Sequence, residues 1–244
     1  MNKMFYGLAL SLMLCLVFAP AALADSPCVA GSLSSYVDSL YGGTASSNFN
    51  CSVTADGLTL DFSQFTYTPG GSTTEAASAI GAAPVTAPDG PGLQFNPGIP
   101  VNGLTSGTED FLVGFTVTAE SGGEIGDVYI NLSNVSTSGT GVATYEEQFC
   151  NSQGTCSLYV ENPITADSNV INLSNTALGG PVSSLTITKD VTLSAGSNGS
   201  AGLSGFNNEY SPSAVPEPRA VSYVLGLGLL AGFVIYRRRR VAQS

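Results

Sequence analysis

Between Leu58 and Leu193 apolar and polar side chains alternate in short runs, the period-two signature of strands with one buried face. Leu58-Thr59-Leu60-Asp61-Phe62 is one such run and Phe65-Thr66-Tyr67 another. Phe111 to Val117, Val128 to Leu132, Val142 to Phe149, Ser157 to Val160, Val170 to Leu173 and Leu185 to Leu193 follow. In the last run Leu185, Ile187, Lys189, Val191 and Leu193 share one face, and Thr186, Thr188, Asp190 and Thr192 share the other. Lys189 is the exception on the apolar face, placed there as an edge guard or as a side chain that snorkels. Gly-rich breaks such as Ser121-Gly122-Gly123 and Ser138-Gly139-Thr140-Gly141 separate the runs. Many short strands between such turns predict an all-β fold, an antiparallel β-sandwich or jelly roll. Helix is expected only near Ser32 to Leu40. Pro69 to Gly92 has no period and reads as a long loop, and Leu203 to Tyr210 reads as a last strand before a linker.

The two ends follow different rules. Lys3 precedes an apolar run from Phe5 to Phe18, and Ala22-Leu23-Ala24 then offers a small-x-small cleavage pattern. That order predicts a secretory signal peptide, a helix over 1–24 removed by signal peptidase, with Asp25 the first mature residue. Near the other end, Ala220 to Tyr236 contains no charge and is followed by Arg237, Arg238, Arg239 and Arg240. At about 1.5 Å per residue this stretch makes a helix of about 25 Å, somewhat short of a hydrocarbon core of about 30 Å that local thinning and snorkelling can match. A transmembrane helix over 220–236 is expected, with the arginines as a stop-transfer signal on the cytoplasmic side, in a basic tail over 237–244. The organisation expected is therefore a signal peptide, an ectodomain over 25–205, a linker over 206–219, the membrane helix and the tail.

Pro216-Glu217-Pro218, an apolar helix containing Gly226, Gly228 and Gly232, and a basic cluster stand in that order from Val215 to Ser244. This tail resembles the PEP-CTERM sorting signal, and the resemblance covers only these residues together with the signal peptide. It implies recognition by exosortase, a membrane cysteine transpeptidase, in a bacterium that makes extracellular polysaccharide. The residues also have a physical reading of their own. The two prolines disfavour helix and hold the chain extended just outside the membrane, in the form a protease can grip. The localisation expected is an exported, inner-membrane-anchored intermediate that passes to the cell surface or extracellular matrix.

Charge and cysteines change the picture of the ectodomain. From Asp25 to Ala214 the only base, Lys189, stands against seventeen acids, a net −16. Such a surface repels phosphate and excludes nucleic acid as a partner. It favours solubility and suits divalent cations. Beyond Cys15 in the signal, Cys28, Cys51, Cys150 and Cys156 are an even set in an exported chain, which predicts two disulfides. Of three pairings, Cys28–Cys51 and Cys150–Cys156 are favoured because each pair is close in sequence.

Chemistry is mostly excluded. Histidine is absent, so no Ser-His-Asp or Cys-His machinery and no zinc site is expected. Glu109-Asp110 and Glu146-Glu147 are adjacent acids, but strand neighbours point to opposite faces, so neither pair forms a two-carboxylate site alone. Two acids from different strands are needed for that. No cofactor is expected; structural calcium on the loops at Asp89-Gly90 or Glu124-Ile125-Gly126-Asp127 is the one metal left open. Tyr129, Tyr145 and Tyr159 are the candidates for stacking sugars of an extracellular polysaccharide. The reading favoured is a non-catalytic envelope or matrix protein. A carbohydrate- or calcium-binding surface module is the alternative, and a surface glycoside hydrolase is a third.

Overall fold

The computed structural model describes residues 26–37, 45–46, 49–86, 89–99, 104–164 and 168–213. The signal-peptide residues Ala22, Ala24 and Asp25, the Pro216-Glu217-Pro218 motif, the expected membrane helix and the four arginines lie outside them. Among the described residues, no helix is long and apolar enough to cross a membrane.

The strands are β1 (Gly31–Ser32), β2 (Ala45–Ser46), β3 (Cys51–Ala55), β4 (Leu58–Gly71), β5 (Gly81–Val85), β6 (Gly92–Asn96), β7 (Thr108–Ala119), β8 (Ile125–Ser133), β9 (Ser136–Ser138), β10 (Val142–Asn151), β11 (Cys156–Glu161), β12 (Ser168–Asn172), β13 (Ser184–Ser194), β14 (Ser200–Gly202) and β15 (Gly205–Pro212). One sheet runs β1-β5-β6-β15-β8-β12 and the other β11-β10-β13-β7-β4-β2, with β3 also on β4; β9 and β14 pair separately. Within both large sheets the strand pairings are antiparallel.

The alternation places the core between the sheets. Phe111, Val113, Phe115 and Val117 of β7 are buried, as are Leu185, Ile187, Val191 and Leu193 of β13. They meet Phe206 and Tyr210 of β15 and Phe95 of β6 from the opposite sheet. Ring centroids lie 5.9 Å apart for Phe95–Phe115 and for Tyr145–Phe206, and 6.2 Å for Phe111–Phe206 and for Phe62–Tyr210. Each such ring removes a large apolar area from water, at roughly 25 cal/mol per Å².

Two local breaks in the pattern have local causes. Leu58, Leu60 and Phe62 are in one phase, and Phe65 and Tyr67 in the other. The two runs form a single strand with a bulge between Ser63 and Thr66. Gln64 there has φ 54°, and the extra residue restores the inward phase. Opposite it, a Cβ on Gly114 would come 2.4 Å from Thr66 Oγ1, so any larger residue there forces the Thr66 side chain to move. Asp56 and Gly57 take φ 51° and 78°, the paired positive values of a tight type I′ hairpin turn between β3 and β4.

Three expectations change, and a fourth is described only in part. The stretch from Pro69 to Gly92 is not one loop: it contains the end of β4, all of β5 and the start of β6. Gly81-Ala82-Ala83-Pro84-Val85 has too little side-chain contrast to show a period, and pairing with β6 makes it a strand. Pro84 is tolerated because β1 reaches only Gly81 and Ala82 on the other side of β5. The helix near 32–40 is described only over Ser34–Val37 (α1), and residues 38–40 lie outside the described set. Lys189 is no edge guard and does not snorkel. Strand β13 lies between β10 and β7, and the lysine is fully buried. Strand β15 continues past residue 205 through Pro212 in the middle of the six-stranded sheet.

Candidate functional site

Glu147, Lys189 and Asn208 are fully buried at inward positions of otherwise apolar strand faces. Ala143, Tyr145, Glu147 and Phe149 point inward from β10, Ile187, Lys189 and Val191 from β13, and Phe206, Asn208 and Tyr210 from β15. Glu147 and Lys189 are directly opposite each other in the β10–β13 ladder. Asn208 comes from the other sheet.

The side chains meet in the sandwich interior. Lys189 Nζ donates to Glu147 Oε2 at 3.0 Å and to the Tyr145 hydroxyl oxygen at 2.9 Å. The Tyr145 hydroxyl donates to Glu147 Oε2 at 2.6 Å. Asn208 Nδ2 donates to Glu147 Oε1 at 2.8 Å. One carboxylate thus holds an amine on one oxygen and a carboxamide on the other. Glu147, Lys189 and Asn208 are each 0% exposed. Tyr145, Phe206 and Phe115 surround the ammonium, their ring centres 5.7, 5.8 and 5.9 Å from Nζ. Burial lowers the Lys189 pKa from its ordinary 10.5, and the Glu147 charge opposes that shift. Burial drives the hydroxyls of Tyr145 and Tyr210 well above 10, and the same charge reinforces it. Asn208 Oδ1 and the Tyr210 hydroxyl are buried without a partner.

Two carboxyl pairs form elsewhere, each from different elements. Glu109 and Asp110 do point to opposite faces of β7. Glu109 turns inward, 4% exposed, and shares a hydrogen bond with Glu75 from the β4–β5 connection. Burial, then that hydrogen bond and the Glu75 charge, raise Glu109 to about 7. The Tyr67 hydroxyl donates to the Glu75 backbone oxygen at 2.5 Å, which fixes the connection over the pair. On the outer face, Asp190 of β13 shares a hydrogen bond with Asp110, and Glu146 adds its charge; burial first, then these neighbours, raise Asp190 to about 6. Thr192 Oγ1 donates to Asp110 Oδ1 at 3.3 Å.

The remaining candidates do not gather in one place. Both favoured cysteine pairs are closed, Cys28–Cys51 at S–S 2.00 Å and Cys150–Cys156 at 2.05 Å. The three tyrosines do not form one platform. Tyr145 is buried, and Tyr159 packs edge-on to it at 6.4 Å with its hydroxyl bound to Glu161 and Asn169. Tyr129 is part-exposed on the outer face of the six-stranded sheet, opposite Glu209 and Val170 in the ladders. Near the two calcium-candidate loops, Asp89 acts on Glu209, and Asp127 Oδ2 accepts a hydrogen bond from Ser211 at 2.8 Å. Among the described residues no three acids or cysteines gather as a metal shell. A groove of about 350 Å³ lies between the edge strands, lined by Leu158 and Tyr159 of β11 and Val170, Ile171 and Asn172 of β12.

The sequence names Glu147 only as one of two adjacent acids and does not single out Asn208, although both break the inward phase as visibly as Lys189 does. Which of the three would meet across the sheets is not contained in any one strand.

No family model matches the sequence, and no curated protein matches it. Among solved structures the fold is similar to that of TmCBM61 in complex with beta-1,4-galactotriose, at 12% identity and a TM-score of 0.29, over 60% of this chain and 87% of the other.

Proposed function

We propose that the chain is an exported, non-catalytic protein of the bacterial cell surface or extracellular matrix, delivered by its signal peptide and sorted through the tail at Pro216-Glu217-Pro218. The observation that carries the reading is the closure of both cysteine pairs, a state that persists in oxidising compartments outside the cytoplasm. Signal peptidase and an exosortase-type transpeptidase are the processing partners. The carboxyl pairs argue against the glycoside-hydrolase reading. Glu75 with Glu109, and Asp110 with Asp190, are hydrogen-bonded to each other. A glycosidase holds its two carboxyls about 5 to 10 Å apart around a substrate.

The helix and Arg237–Arg240 halt export, since four arginines are costly to move through hydrocarbon. This holds the Pro-Glu-Pro motif at the outer boundary of the inner membrane. Fractionation of the native host with mass mapping of both termini tests the reading. The expected surface protein begins at Asp25 and lacks Val221 to Ser244, and Glu217→Ala leaves full-length protein in the inner membrane. Recovery of the intact C-terminal peptide from surface protein defeats the processing step. Retention of Met1 with all five thiols reactive defeats export.

A second reading is favoured by one observation. Tyr129 stands part-exposed on a sheet face that also carries Gln94, Asn131, Asn207 and Ser211, a set of hydrogen-bonding side chains suited to sugar hydroxyls. Calorimetry against the host's polysaccharide checks it. Heat of binding that disappears in Tyr129→Ala supports this face, and heat unchanged by that substitution removes it.

A further inference from the structure

We propose that Lys189 and Asn208 join in an intramolecular amide bond, formed without any cofactor, with Glu147 moving the protons. This inference does not depend on the sorting or sugar-binding readings. It rests on the juxtaposition of the three side chains. Lys189 Nζ and Asn208 Nδ2 are bound to the two oxygens of the same carboxylate, at 3.0 and 2.8 Å. The attacking atom and the leaving group therefore share one proton carrier.

A lysine amine is a nucleophile only when neutral. In water it is an ammonium, and a carboxamide is inert toward it. Here both conditions change. The site is enclosed by Phe115, Tyr145 and Phe206 and fully buried. A buried ion pair loses the hydration of both ions, so transfer of a proton from Lys189 to Glu147 replaces two charges with two neutral groups. The lowered lysine pKa agrees in direction. The packed strands hold the reactants together, which replaces the entropy cost of a bimolecular encounter. Exclusion of water removes hydrolysis of the carboxamide as a competitor.

The step balances as follows. The Lys189 ammonium gives one proton to Glu147. The neutral Nζ attacks Asn208 Cγ, forming the Nζ–Cγ bond and placing negative charge on Oδ1. Oδ1, where the charge forms, is buried without a hydrogen-bond partner. Glu147 passes its proton to Nδ2 and takes the second proton from Nζ. The Cγ–Nδ2 bond breaks and ammonia leaves. The products are an amide between Lys189 and Asn208, ammonia, and a protonated, neutral Glu147. No uncompensated charge remains in the core, and nothing is oxidised or reduced. The new bond ties β13 of one sheet to β15 of the other, so the two layers of the sandwich become covalently linked.

The test uses the full chain, exported and purified, then denatured, reduced and cut at glutamates. The fragment 162–209 contains both Lys189 and Asn208. The expected result is a fragment lighter by one ammonia, resistant to trypsin at Lys189, with backbone fragment ions missing between 189 and 208. In Lys189→Arg, which keeps a cation beside Glu147, and in Glu147→Gln, the fragment has its full mass. A succinimide at Asn198-Gly199 would give the same mass deficit, but it leaves Lys189 open to trypsin and survives in Lys189→Arg. A wild-type fragment of full mass that trypsin splits at Lys189 overturns the proposal, as does a deficit that persists in Lys189→Arg. Cross-linking that persists in Glu147→Gln overturns the role given to Glu147.

Discussion

The Glu75–Glu109 pair makes this domain's stability depend on pH in a stated direction. Glu109 rises from an ordinary 4.5 to about 7 when folded, so the folded state holds a proton that the unfolded chain has already released. A raised carboxyl pKa contributes stability fully present below the unfolded value and lost as pH climbs through the folded value. The loss therefore runs from about pH 4.5 to about pH 7. At about 1.4 kcal/mol per unit of pKa the ceiling is about 3 kcal/mol. Glu75 beside it is part-exposed, and solvent screens the interaction, which reduces the expected effect to about 1–2 kcal/mol. Glu109→Gln keeps a hydrogen-bonding side chain facing Glu75 and removes the titration. Urea unfolding with the disulfides intact, repeated from about pH 5 to about pH 8, measures the difference. The general repulsion among the acids also weakens the domain as pH rises, but it acts on both proteins and cancels in the comparison. The substituted protein is expected to overtake wild type by about 1–2 kcal/mol at the alkaline end. Stability curves that stay parallel across the range would falsify the shared-proton account of this pair.

Further outcomes follow from the same geometry. Asp190→Asn on the outer face is expected to flatten the pH dependence in the same sense near pH 6, by less than about 1 kcal/mol because the pair is partly solvated; the same titration series reads it. Opening Cys28–Cys51, which spans 23 residues, costs about 3 kcal/mol, against about 2 kcal/mol for Cys150–Cys156, which spans 6; serine pairs at each position, compared by thermal melting, give the order. Phe206→Ala removes a ring that touches Phe95, Phe111 and Tyr145 and is expected to cost about 3–5 kcal/mol by denaturant unfolding. Lys189→Met leaves Glu147 buried without its cation and is expected to cost at least about 3–5 kcal/mol, a loss that Lys189→Met with Glu147→Gln partly recovers.

The alternation of side chains was enough to predict an all-β chain, because a strand buries every second residue whatever its neighbours are. It placed β7, β8, β10 and β13 within a few residues. The change of phase between Phe62 and Phe65 marks the bulge that joins two apparent runs into β4. Cysteine spacing favoured the two disulfides, since close pairs meet with little loop cost. Where the pattern carries no contrast it failed: Gly81 to Val85 has no large side chain to alternate, and hydrogen bonding to β6 alone makes it a strand. The adjacent acids at 109–110 and 146–147 were correctly separated by the pleat. Their partners Glu75 and Asp190 come from elements distant in sequence, so only packing paired them. Lys189 was visible as an anomaly, but its meaning was not. One strand reports which face a residue takes, and not what lies across the sandwich. Strand order put β13 in the centre of its sheet and β15 opposite it, and that arrangement alone set a lysine and an asparagine around one glutamate carboxylate in a dry core.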